Sequence, residues 1–246
     1  MTANPFDAGG AAYAAGRPTY PPALADALAD AAPAEGHALD VGCGTGQLAA
    51  LLAERFARVT ATDPSGSQLA AASRHPRIAY REEPAERIGL PDASVDLIAA
   101  AQAAHWFDLP SFYAEARRVA RPGGLLALVT YGVPEAEGPA KARFEDFYWR
   151  EIHEYWPAER AHVEQGYASL DFPFEEISFP PLEIVREWSA EAMSAYVATW
   201  SATRRAREAG AGGVVERFMA DLATLVPAGE AMRVRWPIHV RAALLG

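Results

Sequence analysis

The residues that could do chemistry cluster between positions 40 and 108. In Asp40-Val41-Gly42-Cys43-Gly44-Thr45-Gly46 an apolar run ends in a carboxylate, and glycines follow at every second position. Glycine adopts positive φ freely and lets a ligand approach the backbone closely. Leu48, Leu51, Leu52 and Phe56 then fall at helical spacing. The pattern predicts a strand, a tight turn and a helix N-terminus, whose unpaired N–H groups favour an electron-rich or anionic ligand group. A dinucleotide fingerprint places its glycines as G-x-G-x-x-G to seat a pyrophosphate. Here the third glycine comes one position early, which disfavours a nicotinamide oxidoreductase. An ordinary βα turn shares this outline, so the rest of the chain has to decide between them. Asp63 closes a second β-like run, and an acid there can accept both hydroxyls of a ribose; the alternative is an exposed capping residue. Ser65, two residues on, is a plausible N-cap. His105 follows an apolar run and titrates near neutrality, so it is a candidate general base, or else a packing histidine.

Three stretches in order resemble the class I S-adenosylmethionine (SAM) dependent methyltransferases. Asp40-x-Gly42-x-Gly44-x-Gly46 resembles their first motif. Ala85-Glu86, then Leu90-Pro91 and Ser94-Val95-Asp96-Leu97, resembles the third signature, and Arg121-Pro122-Gly123-Gly124 before an apolar strand follows the same layout. Tyr13 followed by Arg17-Pro18-Thr19-Tyr20-Pro21 resembles the leader of the trans-aconitate-methyltransferase-like and ubiquinone/menaquinone-biosynthesis-like subgroup. The resemblance runs from about residue 6 to residue 131. It implies SAM as cofactor and S-adenosylhomocysteine (SAH) as product. Asp40, Gly42, Cys43, Gly44, Gly46 and Gln102 would then meet the methionine part, Asp63 the ribose, and Ala85 and Glu86 the adenine, with Ser65 also binding the cofactor. Tyr13 would belong to a lid over the cofactor. Arg17, Tyr20, Trp106, Tyr131 and Trp200 would surround the acceptor.

Methyl transfer from a sulfonium is an in-line displacement. Holding the partners in line supplies roughly 7–11 kcal/mol, and no covalent residue is obligatory. The lone cysteine, Cys43, reads as a small residue filling the turn. The six histidines make no H-x-x-x-H or H-E-x-x-H spacing, so no helical metal site is expected. No Asp-Asn pair of the metal-dependent catechol enzymes occurs. A carboxylate acceptor is already ionised and needs only a cation such as Arg17 or Arg204 to orient it. A phenol needs a base, and His105 is the candidate. The subgroup leans towards a small organic acid or a natural-product intermediate. The alternative is a SAM-binding protein of the same fold that catalyses a pericyclic or rearrangement reaction.

The elements that must position these groups follow from periodicity. Strands are expected at 37–41, 58–62, 77–80, 95–101 and 125–130, with helices at 23–32, after Gly46, after Ser65 and at 111–120, the last capped by Ser111. Further strands are expected at 172–179 and 182–188. Met232, Val234, Trp236, Ile238 and Val240 alternate with polar residues, the pattern of a half-covered strand. Pro237 there must avoid a ladder position or make a bulge. Residues 141–155 read as an aromatic-rich helix, and residues 190–209 as a helix interrupted near Trp200. The fold class is α/β, a doubly wound, mostly parallel seven-stranded sheet. Its order, from the resemblance, is 3-2-1-4-5-7-6. The 246 residues make one domain, with a lid at 1–22 and helical cap insertions at 133–170 and 189–228.

A net charge of −10 disfavours sequence-independent nucleic-acid binding. One cysteine cannot build a disulfide framework, and no apolar stretch is long enough for a bilayer. The expected partner is a small molecule, with no nucleic acid and no membrane, for a monomer or homodimer in the cytoplasm. Lys141 is the single lysine, and alanine abounds, as in GC-rich bacterial genes.

Overall fold

The computed structural model describes residues 18–246. Five parallel strands, β1 (His37–Val41), β2 (Arg58–Asp63), β3 (Ile78–Glu82), β4 (Val95–Ala101) and β5 (Ala120–Tyr131), alternate with α2 (Gln47–Arg55), α3 (Gly66–Ala70) and α4 (Leu109–Val119), after α1 (Pro22–Ala31). All of β1 and all but the last residue of β4 are buried, as strands covered on both faces must be. Leu24 and Leu28 of α1, Leu48 and Leu52 of α2 and Phe56 just past it share one apolar cluster on one face. Phe112, Ala116 and Val119 of α4 cover the other, against Leu39, Ile98 and Leu126.

Past β5 the chain makes β6 (Glu135–Ala136), α5 (Ala140–Asp146), α6 (Arg160–Glu164), β7 (Leu182–Trp188), α7 (Ala190–Ala198), α8 (Ser201–Glu208), α9 (Gly213–Leu225) and β8 (Met232–Leu245). The eight-stranded sheet runs β3-β2-β1-β4-β5-β8-β6, and β7 also pairs with β8. The long β8 serves two edges: Ile238 pairs with Tyr131 of β5 on one side and Leu182 of β7 on the other. Glu135 and Val185 likewise flank Arg235, so the two-residue β6 extends β5's line. With β6 counted so, the last strand inserts antiparallel between β5 and β7, which is the expected order. Pro237 fits because its carbonyl accepts from Gly132 N–H. Its missing N–H points to the same edge, where β5 breaks before β6.

Three local expectations change. Residues 172–179 make no strand: Ile177 alone bridges to Ala242, while Phe172 and Phe174 pack edge-on against Tyr113 of α4. Pro173 lacks a ladder donor within this segment, and Pro180 and Pro181 lack them directly after it. Asp108, not Ser111, stands at the N-cap of α4, with Pro110 in the first turn, and Ser111 Oγ donates to the Asp108 carboxylate. The helix expected at 141–155 ends at Asp146, then widens into a π turn (Phe147–Glu151) and a 3₁₀ turn (His153–Tyr155). That widening accompanies Phe147 stacking face to face on Phe218 of α9, with ring centres 3.9 Å apart.

Candidate functional site

The glycine turn stands at the carboxyl end of β1. Gly42, Gly44 and Gly46 all have positive φ, at 70°, 55° and 79°. Two of them are also sterically bound to be glycine. A Cβ at Gly42 would stand 2.5 Å from Ala103 Cβ, and one at Gly46 would stand 2.4 Å from the Tyr80 hydroxyl. At Gly44 the nearest atom to a Cβ would be Gln68 Oε1 at 3.9 Å, so the absent side chain leaves open room above the backbone. The amides of Gly42 and Cys43 both donate to Thr62 O, at 2.8 and 2.9 Å, which ties the turn to β2.

Asp63 closes the turn from the β2 side. Its Oδ2 accepts from Gly44 N–H and its Oδ1 from Ser65 N–H, each at 2.8 Å. These two bonds fix the orientation of the carboxylate at the end of β2. Ser65 is the N-cap of α3, its hydroxyl accepting from Gln68 N–H.

Asp40 is 1 % exposed, and among the described residues neither carboxyl oxygen makes a well-formed hydrogen bond, the Ala49 amide being its nearest donor. Burial pushes its pKa up to about 7; the Ala49 amide in the first turn of α2 opposes this, and the Asp63 charge adds to it. An orphaned buried carboxyl suits a cationic ligand group, which would supply the missing partner. The Cys43 thiol, half buried, is pushed well above its usual pKa by burial and then by Asp40 and Asp63, so it stays protonated. The ammonium, ribose diol and electron-rich groups of SAM match this donor and acceptor set.

Ala85 is buried, and Glu86 Oε1 accepts from Asp108 N–H at 2.9 Å, which links the third signature to the start of α4. At the end of β4, Gln102 has φ 55°, and its side chain turns to β5: Nε2 donates to Tyr131 O and Oε1 accepts from Thr130 Oγ1. His105 lies on the following 3₁₀ turn (Ala104–Trp106), with Nδ1 2.8 Å from the Tyr167 hydroxyl. Trp106 is 45 % exposed. Tyr20 and Tyr131 are buried with ring centres 5.9 Å apart. Thr19, beside Tyr20, accepts from Arg186 of β7, which ties that residue to the sheet edge. Tyr13 and Arg17 lie outside the described residues. Trp200 is 2 % exposed among Phe144, Phe147, Tyr148, Trp156 and Tyr196, and Arg204 is exposed on α8 beside Glu208. A separate hollow of about 510 Å³ lies beyond the end of β5, between Gly132, Trp149, Glu164 and His239, and shares no lining residue with the glycine turn.

Tyr167 and Thr130 carried no signal in the sequence. Tyr167 lies in an irregular stretch, and only the tertiary fold brings it to the carboxyl ends of β4 and β5. Among the described residues no group of three or more His, Cys, Asp or Glu could hold a metal ion, and no helix is long and apolar enough to cross a membrane.

Comparison with known proteins gives the same outline. Residues 39–128 match the methyltransferase domain family. A solved structure of a candidate type II methyltransferase from Anaeromyxobacter dehalogenans is 47 % identical, covers 93 % of this chain and 98 % of that one, and superposes with a TM-score of 0.87. A candidate methyltransferase of Dictyostelium discoideum is 36 % identical over 167 residues, 67 % of this chain and 64 % of that protein. The malonyl-[acyl-carrier protein] O-methyltransferase of Serratia marcescens is 39 % identical over 94 residues, 37 % of each chain. The chain thus spans less than two thirds of the length of these curated relatives.

Proposed function

Because the chain belongs to the class I SAM-dependent methyltransferases, we propose that it binds SAM at the glycine turn and methylates a small-molecule acceptor, an organic acid or natural-product intermediate. The observation that carries this reading is the pairing of the positive-φ turn at 42–46 with Asp63, whose carboxylate bridges Gly44 and Ser65. When bound, SAM supplies an electrophilic methyl group on a sulfonium. The chain's own residues do the rest. Asp40 meets the ammonium, Asp63 the ribose diol, and Ala85 and Glu86 flank the adenine. Gln102 lies towards the methionine part, Tyr20, Trp106 and Tyr131 border the acceptor side, and the backbone scaffold holds the acceptor in line.

The acceptor's proton divides two cases. An ionised carboxylate needs no base, only a cation such as Arg17 or Arg204 to orient it. A phenol or other hydroxyl gives up its proton to His105. The Serratia relative named for O-methylation of a malonyl group supports the acid case. Incubation of the protein with SAM and a panel of small carboxylic acids and phenols, read as SAH formed, tests the reading. SAH release dependent on one acceptor class supports it. Tight SAM binding without SAH for any acceptor supports the alternative, a reaction other than methylation in the same fold.

A further inference from the structure

The hollow beyond the end of β5 is walled by three elements. Lys141, Glu145 and Trp149 recur at helical spacing along α5 and its π extension, and Arg235, Pro237 and His239 alternate along one face of β8. Residues 132–137 join these two walls. The volume of about 510 Å³ lies within the range of small-molecule sites, roughly 300–1,000 Å³. Gly166 makes room for the His239 ring: it has φ 59°, and a Cβ there would stand 2.6 Å from His239 Cγ.

Trp149 is 50 % exposed, although Phe147 and Tyr148 before it are fully buried. The π turn produces this arrangement, and such turns recur at functional sites. Tyr148 packs edge-on against the indole, with ring centres 4.8 Å apart, and the His153 ring lies 5.4 Å from it. The indole is thus held in place with half its surface open at the hollow. The least exposed charge there is Glu164, whose side chain is 12 % exposed, against 38–53 % for Arg235, Glu135 and Glu137. Lys141 and Glu145 are exposed too. Charges interact most strongly where water is scarcest, so Glu164 fixes the sign of the ligand. Its Oε1 accepts from the Tyr148 hydroxyl at 2.6 Å, and its Oε2 lies 3.3 Å from His153 Nε2. Among the described residues no guanidinium or ammonium hydrogen-bonds to it: Arg160 comes only to 3.9 Å and donates to Tyr148 instead. Arg235 is already matched by Glu135 at 2.9 Å and Glu137 at 3.1 Å.

We propose that the hollow is a second ligand site, for a small organic ammonium whose cation meets Glu164 and whose apolar body packs on Trp149, Phe144 and Pro237. Glu135, Glu137, Glu145 and Glu164 outnumber Lys141 and Arg235 on its walls. An anion would be repelled there, and a neutral body would leave Glu164 without a countercharge. The site goes beyond methyl transfer and does not depend on what the glycine turn binds.

Phenethylammonium, 2-phenylethanol and 3-phenylpropionate carry a similar apolar body with a positive, zero and negative charge at neutral pH. Proton–nitrogen spectra of the ¹⁵N-labelled full chain give an indole N–H peak for each tryptophan, and the Trp149 peak is the one lost in Trp149→Phe. The expected result is a saturable shift of that peak with phenethylammonium, at an affinity at least tenfold above that for either of the other two probes. Glu164→Gln keeps an acceptor for the Tyr148 hydroxyl and removes only the charge. It should weaken phenethylammonium at least tenfold and bring it level with 2-phenylethanol. An unmoved Trp149 peak, equal affinity for the three probes, or undiminished affinity in Glu164→Gln overturns the proposal. Saturating SAM should leave the shift in place; a shift that SAM abolishes puts the amine in the glycine turn, beside Asp40, and overturns it as well.

Discussion

Beside the first turn of α2, Asp40 carries a proton up to about pH 7 because burial outweighs the opposing Ala49 amide. Its folded pKa lies above the unfolded 3.8, so the stabilising effect of the neutral form is full below that value and is lost as pH rises through about 7. An ammonium binds the ionised form. SAM affinity should therefore rise between pH 5 and pH 7 and level off above, with a proton released on binding at pH 6. Calorimetry in two buffers of different ionisation heat would show it as a buffer-dependent enthalpy; a buffer-independent heat would contradict it. Without cofactor, Asp40→Asn should raise the urea midpoint at pH 8 and leave it nearly unchanged at pH 4. Gly46→Ala combines positive φ with a Cβ 2.4 Å from the Tyr80 hydroxyl. A loss of about 1–3 kcal/mol in urea unfolding is expected, and wild-type stability in that variant would refute the steric account. The residues of the glycine turn and Asp63 were legible in the sequence because their spacing is local. The contact between His105 and Tyr167 was not, since the two lie 62 positions apart.

At the scale of elements, the amino-terminal edge of the sheet is locked by a second polar group. His37 N–H donates to Asp96 Oδ2, and Arg121 donates to Asp96 Oδ1. The His37 ring lies between Ser94 O and the Thr60 hydroxyl. Burial, and then Arg58, lower the His37 pKa below its usual 6.5. The unfolded chain thus binds the extra proton first, and the stability tied to the neutral ring is full above pH 6.5 and is lost as pH falls through the lower folded value. Urea unfolding should show a steeper loss between pH 7 and pH 5.5 in the parent than in His37→Gln; equal slopes would refute it. Strands β1 and β4 and the interruption at Trp200 could be read from periodicity, because buried parallel strands are continuously apolar and their turns carry glycine or proline. Residues 172–179 were misread because an apolar run looks the same whether its rings face a sheet partner or a helix such as α4. The π turn after Asp146 was invisible because it is set by Phe218, far along the chain.

On the scale of the whole molecule, the carboxyl ends of β1, β2, β4 and β5 carry the candidate site, and the helices after β5 pack among themselves through stacked rings. Phe147, Phe218, Phe144, Tyr148 and Trp200 form one aromatic cluster remote in sequence from the glycine turn. Phe218→Ala should cost about 3–5 kcal/mol of stability, with SAM affinity at 20 °C changed far less than by any change at Asp63. A tenfold loss of SAM affinity in a Phe218→Ala protein that remains folded would show the cluster and the cradle to be one unit. The most direct test of the account is calorimetric titration of SAM into the parent chain and into Asp63→Ala, with circular dichroism confirming that both are folded. Saturable binding of one SAM per chain by the parent, weakened at least tenfold in the variant, is the predicted result. No binding by the parent, or equal affinity in the two proteins, would contradict it.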